Sequence, residues 1–472
     1  MQKWKQALSS PPTEHTDGDP AMKDDANRPQ KRTRLAWTLS LLLLPLAAGS
    51  GAQDSLRWRG SAAYAPPPTL QQAPQASVHA VPQPGAAFDP AEFERLAQQL
   101  VADQGVPGLA MTIVQNGKVV SERGYGVTDV QAAQAIDNHT VFRLASLSKA
   151  FAGTLAGLLV NQGAFRWDTP VVDYVPWLRL SRPGAERELT VADVLSHRVG
   201  LTRNAFDRDL EANADYGSLV SKLAYAPMTC DPGQCYAYQN VAFSLIGNVL
   251  TATTGKDYGQ ELSRMVFKPL GMSDASTGLD GIESSPRWAR PHVRGGGGWV
   301  ALMPKPAYYH VMPAAGVNAS ISDMSKWLIA QTGHRPEVLP ASLLQTLHHP
   351  VISTPTELRG SEWRRERLGS AGYAIGWRVY DYAGHELVFH GGAVQGYRGV
   401  VAMLPDRDLG VAILWNSESA LPSGLLPTII DRALGLPYRA WIEGPSSPAT
   451  LYAGGQQDND EAQSPTAAGA PR

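Results

Sequence analysis

A run of apolar residues at helical spacing predicts a helix that begins at Ser146. Apolar residues recur after it at helical spacing: Phe151, Leu155, Leu158 and Leu159. Gly163 then tolerates the left-handed backbone that commonly ends a helix. Five more helices are predicted by caps and apolar spacing: from Asp89-Pro90 to Gly105, after a capping box at Thr190-Asp193, after Asn240 with Phe243, Ile246 and Leu250 as its apolar positions, over 323–331 behind a Ser320-Asp323 pair, and over 425–434.

Strands are predicted near both ends of the folded part of the chain. Alternating or continuous apolar runs bounded by turn residues occupy 109–114, 119–124, 373–380, 386–390, 397–404 and 410–415. Asn116-Gly117 between the first two indicates a tight hairpin. An early hairpin, a block of helices and a late meander predict an α+β fold. In it the first and last strands of an antiparallel sheet meet and a helical region is inserted between them, whereas a parallel βαβ sheet does not fit.

Two stretches, 202–229 and 281–310, show little periodicity. Gly295 to Gly298, flanked by Trp288 and Trp299, indicate a mobile loop with aromatic residues. Irregular segments of this kind commonly shape access to a site, so we expect the loop to influence the choice of substrate.

The two ends of the chain differ in composition from its centre. Residues 1–52 are interpreted as a polar lead followed by an export signal, because Lys31, Arg32 and Arg34 precede an apolar run over 35–48. Cleavage is expected near Ala52, and an uncleaved membrane anchor is the alternative. Residues 53–87 are rich in Pro, Ala and Gln and are interpreted as a linker, and 443–472 as a disordered tail. The folded unit is therefore expected over 88–442.

Composition excludes some partners. The net charge is −2 and 43% of the residues are hydrophobic, so there is no basic footprint for nucleic acid and enough apolar material for a large core. No stable membrane contact is expected after signal cleavage. Cys230 and Cys235 are the only cysteines; an exported setting favours a disulfide between them, with two free thiols as the alternative.

The candidate chemistry begins with Ser146 and Lys149. A hydroxyl at a helix start lies beside free backbone N–H groups that suit a developing oxyanion, and an amine one turn later can take its proton. Ser146 is therefore the candidate nucleophile, and its own backbone N–H a candidate oxyanion donor.

Two further groups complete the pattern. Tyr238 is a candidate general base if a nearby ammonium lowers its pKa, and the Asn240 amide can steady the lysine while it holds a substrate carbonyl. At the predicted end of a strand, His390 is a candidate anion partner or proton carrier. Gly391 and Gly392 would let a ligand backbone lie against the strand edge, and the backbone N–H of Ala393 is the second candidate oxyanion donor.

The other histidines are given structural interpretations. His197 lies in a loop without a partner motif and is interpreted as a hydrogen-bonded structural residue rather than a catalyst. His348-His349 is an adjacent pair without a carboxylate at metal-ligand spacing, so it is placed on the surface. Neither a metal nor a cofactor is expected.

The order of the motifs resembles that of the penicillin-recognising serine hydrolases. The resemblance rests on Ser-x-x-Lys at Ser146, Tyr-x-Asn at Tyr238 and His-x-Gly at His390, supported by 195–201, Pro232-Gly233 and 313–316. This family contains class C β-lactamases, D-alanyl-D-alanine carboxypeptidases, D-aminopeptidases and esterases. The resemblance implies a two-domain β-lactamase-like fold with its site between sheet and helices, acylation of Ser146, hydrolysis by water and no metal.

The His-x-Gly motif narrows the range of activities expected from this resemblance. Class C β-lactamases typically have Lys-Thr-Gly where this chain has His390-Gly391-Gly392, so efficient β-lactam hydrolysis is not expected. We predict an exported serine hydrolase of small peptides, amides or esters; a true β-lactamase and a non-catalytic cell-wall peptide binder are the alternatives. If the substrate carries a carboxylate, protonated His390 is expected to bind it and KM to rise between about pH 6 and 8.

Overall fold

The computed structural model describes residues 88–103, 105–132 and 134–442. The chain divides into two units, Met1–Ala80 and Val81–Arg472, and every described residue belongs to the second. The predicted export signal, linker and C-terminal tail lie outside the described residues. Among the helices that are described, none is long and apolar enough to cross a membrane.

The strands of the described residues form one large sheet and two small ones. In chain order they are β1 (Gly108–Gln115), β2 (Lys118–Gly126), β3 (Val141–Arg143), β4 (Ser276–Thr277), β5 (His292–Gly295), β6 (Gly298–Ala301), β7 (Val317–Ser320), β8 (Ile352–Ser353), β9 (Leu368–Tyr373), β10 (Arg378–Tyr382), β11 (His385–Val394), β12 (Tyr397–Leu404) and β13 (Leu409–Trp415). The large sheet has the order β2-β1-β13-β12-β11-β10-β9-β8, and its neighbouring strands are antiparallel. The first and last long strands therefore pair, as the sequence predicts.

The helices of the described residues vary from one turn to four. They are α1 (Pro90–Ala102), α2 (Ser148–Asn161), α3 (Ala185–Glu188), α4 (Val191–Leu195), α5 (Asp207–Glu211), α6 (Tyr216–Lys222), α7 (Leu245–Thr254), α8 (Tyr258–Leu262), α9 (Lys268–Leu270), α10 (Gly278–Glu283), α11 (Met312–Ala315), α12 (Ile321–Ile329), α13 (Ala341–His348), α14 (Glu362–Arg367) and α15 (Leu425–Leu434). Asp89 caps α1, and capping boxes start α4 and α12, as predicted. The mixed α+β class is confirmed.

The large sheet is buried on both faces. Leu109 and Met111 of β1 pack in one apolar cluster with Phe93 of α1, whereas Ala110, which alternates with them, joins the larger cluster that contains Phe151 of α2. Successive side chains of a strand point to opposite faces, so one run of apolar residues serves both clusters. The sheet is therefore a central layer with helices on each side.

A glycine turn brings the sheet against the start of α2. The segment between β9 and β10 contains Gly376 with φ +76°, and a Cβ there would lie 2.3 Å from the Lys149 carbonyl oxygen. Only glycine combines this backbone conformation with so close an approach. The same turn corrects the single strand predicted over 373–380, because Gly376 bends the chain and divides the run into β9 and β10.

The two stretches without periodicity contain regular structure. Residues 202–229 include the short helices α5 and α6, and 281–310 include the hairpin of β5 and β6. The loop predicted over Gly295 to Gly298 is the turn of this hairpin, with Gly296 and Gly297 between the two strands. These glycines lie in the turn and the adjoining strand ends, where Gly298 has φ +128°.

Candidate active site

Ser146 lies in a single 3-10 turn, Ala145–Leu147, that leads into α2. Ala145 has φ +50°, a left-handed conformation that is uncommon for a residue with a side chain and that clusters at functional sites. Ser146 is partly exposed, whereas its neighbours are buried. Ser148 differs, because it is fully buried, donates to the Ala145 carbonyl at 2.6 Å and accepts from the Val317 N–H at 2.9 Å.

Lys149 is fully buried directly below Ser146. Its Nζ lies 3.4 Å from Ser146 Oγ, 2.7 Å from Asn240 Oδ1 and 3.1 Å from the Ala314 carbonyl oxygen. Ala314 belongs to the segment 313–316 whose role the sequence left open. Its carbonyl oxygen is a third acceptor for the ammonium, and three acceptors restrict the movement of the lysine side chain.

Tyr238 packs over the same ammonium. Lys149 Nζ is 4.6 Å from the centroid of the tyrosine ring, and the ring is only 6% exposed. The guanidinium carbon of Arg378, from β10, is 5.5 Å from the same centroid. Two cationic side chains therefore lie close to the ring of the candidate general base.

Arg378 was not singled out by the sequence, and it is part of a buried ion network. It pairs with Glu357, which also accepts from Arg364 at 2.6 Å and from the Tyr380 hydroxyl at 3.1 Å. Burial alone would raise the pKa of Glu357, but the two guanidinium groups outweigh it and lower that pKa to about 2. The carboxylate therefore stays charged and fixes Arg378 behind Tyr238.

The third motif lies within β11, and not at its end as predicted, because the strand continues to Val394. A Cβ on Gly392 would lie 2.5 Å from the Leu144 carbonyl oxygen and 3.2 Å from the Ser146 backbone nitrogen. This glycine therefore allows the strand to touch the turn that carries Ser146, which is a different reason from the predicted contact with a ligand backbone. The oxyanion role of Ala393 stays a prediction.

His390 is the end of a directed chain of hydrogen bonds. The Gln239 backbone N–H donates to His197 Nδ1 at 3.1 Å, so His197 Nε2 carries a proton and donates to the Tyr373 hydroxyl at 3.1 Å. At the other end, His390 Nδ1 donates to the Gly391 carbonyl oxygen at 2.7 Å, and His390 Nε2 accepts from Tyr373 at 3.2 Å.

His197 and His390, the two histidines in this series of hydrogen bonds, are both neutral. Burial, followed by the charges of Arg378 and Lys149, holds the pKa of His390 well below its usual range, and burial and Lys149 do the same for His197. In this arrangement both ring nitrogens of His390 are engaged within the protein. Binding of a substrate carboxylate by protonated His390 stays a prediction, and it would require this buried ring to gain a proton. His197 is a buried, hydrogen-bonded residue, and its ring lies 4.3 Å from that of Tyr238.

Asn240 joins the lysine to a carboxylate. Its Oδ1 accepts from Lys149, and its Nδ2 donates to Asp207 Oδ2 at 2.7 Å. The predicted contact with the lysine is confirmed. The contact of the amide with a substrate carbonyl stays a prediction, and it would have to use the remaining N–H of Nδ2.

A disulfide joins Cys230 to Cys235 in the structure. The Cα atoms are 6.2 Å apart, within the usual range, and the bridge ends three residues before Tyr238. It closes the loop that leads to the tyrosine, and the bridge predicted from the sequence is present.

His348 departs from the surface position predicted for it. It is half-buried, its Nε2 lies 2.9 Å from the Gln331 side-chain oxygen, and burial lowers its pKa to about 4. His349 is exposed. Within the described part of the chain no group of three or more His, Cys, Asp or Glu side chains is arranged to hold a metal ion.

Sequence reasoning missed Asp207, Tyr373 and Arg378. Asp207 lies in a stretch without periodicity, and the other two lie in a run interpreted as one continuous strand. A signal did exist in that run, because an arginine among apolar residues of a central strand is rarely buried without a functional or structural partner.

The fold and the site together define a class. A helix-start Ser-x-x-Lys that contacts Tyr-x-Asn on one side and a His-x-Gly strand of an antiparallel sheet on the other is the arrangement of the penicillin-recognising serine hydrolases. Residues 93–433, well over half of the chain, match the family described as Beta-lactamase, and the chain therefore belongs to the β-lactamase family.

Its relatives are distant. The chain is 25% identical over 383 residues to "Unguisins hydrolase ungD" of Aspergillus violaceofuscus, with 73% of this chain and 65% of that protein covered. It is 24% identical over 331 residues to "Protein flp" of Staphylococcus aureus, with 70% and 63% covered. The chain thus spans slightly less than two thirds of the length of either relative.

Solved structures show the same fold. The penicillin-binding protein homologue from Pyrococcus abyssi, described as octameric, has a TM-score of 0.63 at 23% identity, covering 73% of this chain and 77% of that one. The D-amino acid amidase from Ochrobactrum anthropi has a TM-score of 0.60 at 20% identity, covering 73% and 98%.

Proposed function

We propose that this protein is a serine hydrolase that cleaves an amide, peptide or ester bond through an acyl-enzyme on Ser146. The observation that carries the proposal is the placement of Lys149 Nζ 3.4 Å from Ser146 Oγ and 4.6 Å from the ring centroid of Tyr238. Tyr238 takes the proton of Ser146 as the hydroxyl attacks, and returns it to the leaving group; Lys149 stabilises the phenolate. A water molecule then attacks the acyl-enzyme and releases the acyl group as an acid, which restores the Ser146 hydroxyl.

The state of His390 bears on the substrate. A β-lactam or a peptide that ends beside the scissile bond carries a carboxylate, to which neutral His390 offers neither charge nor a free N–H. Amides and esters without that carboxylate therefore fit this site better than β-lactams do. One relative is named a hydrolase and one structural neighbour is a D-amino acid amidase, which supports an amide among the candidate substrates.

The test combines a fluorescent penicillin, a panel of chromogenic esters and D-amino acid amides, and mass spectrometry. Turnover of at least one neutral substrate is expected, and Ser146→Ala should abolish it without loss of the fold. Fragmentation of the labelled peptide after a covalent serine inhibitor should place the adduct on Ser146. An adduct on Ser148, or binding of the panel without turnover by the unmutated protein, would overturn the assignment.

We also propose that the protein is exported and cleaved near Ala52. The basic residues before the apolar run 35–48 and the Cys230–Cys235 disulfide support this, because such bridges persist in oxidising compartments. The mass of the protein recovered from the exported fraction should correspond to a start at Gln53; an intact N-terminus on membrane-bound protein would favour an anchor.

A further inference from the structure

Lys149 keeps its hydrogen bond to Asn240 only if the oxygen of the amide side chain faces the ammonium. An amide side chain has an acceptor end and a donor end that differ little in shape, so its neighbours decide which end faces which group. The oxygen faces the ammonium of Lys149 at 2.7 Å. In the opposite orientation two N–H groups would face a buried cation, and Lys149 would lose its shortest contact.

Asp207 is the group that decides this direction. It is the first residue of α5, follows Phe206 with φ +64°, and accepts from Asn240 Nδ2 at 2.7 Å. A carboxylate has no donor, so only the NH2 end of the amide can face it. Because Asp207 and Lys149 contact opposite ends of Asn240, each reinforces the orientation that the other requires.

Burying the carboxylate of Asp207 destabilises the fold, which indicates that this residue has a specific role. The residue is 8% exposed, and in the described part of the chain its Oδ1 is buried without a hydrogen-bond partner. An unsatisfied buried carboxylate oxygen destabilises a fold and calls for an explanation. Packing against apolar residues would be served better by a leucine, so the explanation lies in what Oδ2 holds.

The charges around Asp207 leave it ionised at neutral pH. Burial raises its pKa to about 6, with Glu211 acting in the same direction, and the Asn240 hydrogen bond, Lys149 and Arg203 oppose the rise. The carboxyl group is therefore acceptor-only above pH 7. Below about pH 6 it gains a proton and can donate as well, so the directional constraint weakens in acid.

We propose that Asp207 is a positioning residue that fixes the orientation of the Asn240 amide and thereby holds Lys149 against Ser146. It acts through Asn240 and contacts no reacting atom. The inference rests on the proposed function, since it assumes that Ser146 is the nucleophile and Lys149 its activating partner.

The test measures the rate at which a fluorophosphonate probe labels Ser146 in the full chain at pH 8, which requires no knowledge of the natural substrate. Asp207→Ala is expected to lower the second-order labelling rate by about 100-fold, the effect of a displacement near 1 Å in a reacting group. Asp207→Asn should recover most of that loss, because its amide oxygen can still accept from Asn240. Where Asp207→Ala does not fold, Asp207→Leu fills the volume without an acceptor and should show the same loss.

A double-mutant cycle separates positioning from general stability. In an Asn240→Ala background, Asp207→Ala should change the labelling rate by no more than about 2-fold, since the residue through which it acts is gone. Asp323→Asn is the matched control: Asp323 is fully buried and burial raises its pKa to about 6 as well, but its carboxylate accepts from the Ser320 backbone N–H in the capping box of α12. This control should lower stability and leave the labelling rate unchanged.

The outcomes are distinguishable. If the unmutated protein takes no probe on Ser146, the proposed function fails. If Ser146 is labelled but Asp207→Ala reacts as fast as the unmutated protein, the role of Asp207 is overturned and the proposed function stands. The same conclusion follows if Asp207→Ala lowers the labelling rate equally in the Asn240 and Asn240→Ala backgrounds. Failure of Asp207→Asn to exceed Asp207→Ala would also overturn the role, because the acceptor oxygen would then be irrelevant.

Discussion

Gly392→Ala tests whether β11 must touch the nucleophile turn. The added Cβ would lie 2.5 Å from the Leu144 carbonyl oxygen and 2.6 Å from Leu147 Cδ1, whereas ordinary contact begins at 3.4 Å. The strand or the turn must therefore retreat by about 0.9 Å, close to the displacement of 1 Å that costs about 100-fold in rate. Overpacking of this kind also destabilises by about 1–3 kcal/mol.

The assay compares this variant with the same substitution at an exposed glycine outside the site. A Cβ on Gly217 of α6 would lie 3.4 Å from Asp215 Oδ1, which is ordinary contact, so Gly217→Ala is the matched control. We expect kcat/KM for a neutral ester to fall about 100-fold in Gly392→Ala, and to stay within about 2-fold in Gly217→Ala, while thermal melting shows both proteins folded. Full activity of Gly392→Ala, or an equal loss in the two variants, would refute the reasoning.

Two further predictions follow from the site. Neutral His390 should leave KM for a carboxylate-bearing substrate unchanged between about pH 6 and 8, because a pKa held well below 6.5 keeps the ring uncharged throughout that window; a KM that rises with pH, and that becomes flat in His390→Gln, would contradict the neutral assignment. Thiol titration of the unfolded, unreduced protein should detect neither Cys230 nor Cys235, and reduction should restore both; two titrating thiols before reduction would show that the bridge does not form.

Local sequence determined the elements whose stabilising contacts are near in the chain. The Asn116-Gly117 hairpin, the capping box of α12, and the bounds of β12 and α15 follow from side chains a few positions apart, and all are present. Ser146 and Lys149 belong to this group, because a spacing of three residues at a helix start brings their side chains together whatever surrounds them.

Tertiary structure decided how the site is charged and held. The chain from His197 through Tyr373 to His390 joins residues 176 and 17 positions apart, and no spacing rule links them. Sequence alone could assign His390 only its ordinary pKa, whereas burial beside Arg378 and Lys149 lowers it. A pKa depends on the solvent and charges within a few ångströms, which only the folded chain brings together.

The same distinction explains Asp207 and Gly392. Asp207 is one of many acidic residues in a stretch without periodicity. Its proposed role depends on a hydrogen bond from Asn240, 33 positions later. Gly392 was recognised as part of a motif, but its contact with the turn that carries Ser146 could not be predicted, because that turn lies about 250 residues earlier in the chain. The sequence by itself determined which chemistry the chain carries and on which local elements. The packing of those elements decided which groups are neutral, which are charged and which orient the others, because burial and close approach are properties of the assembled fold.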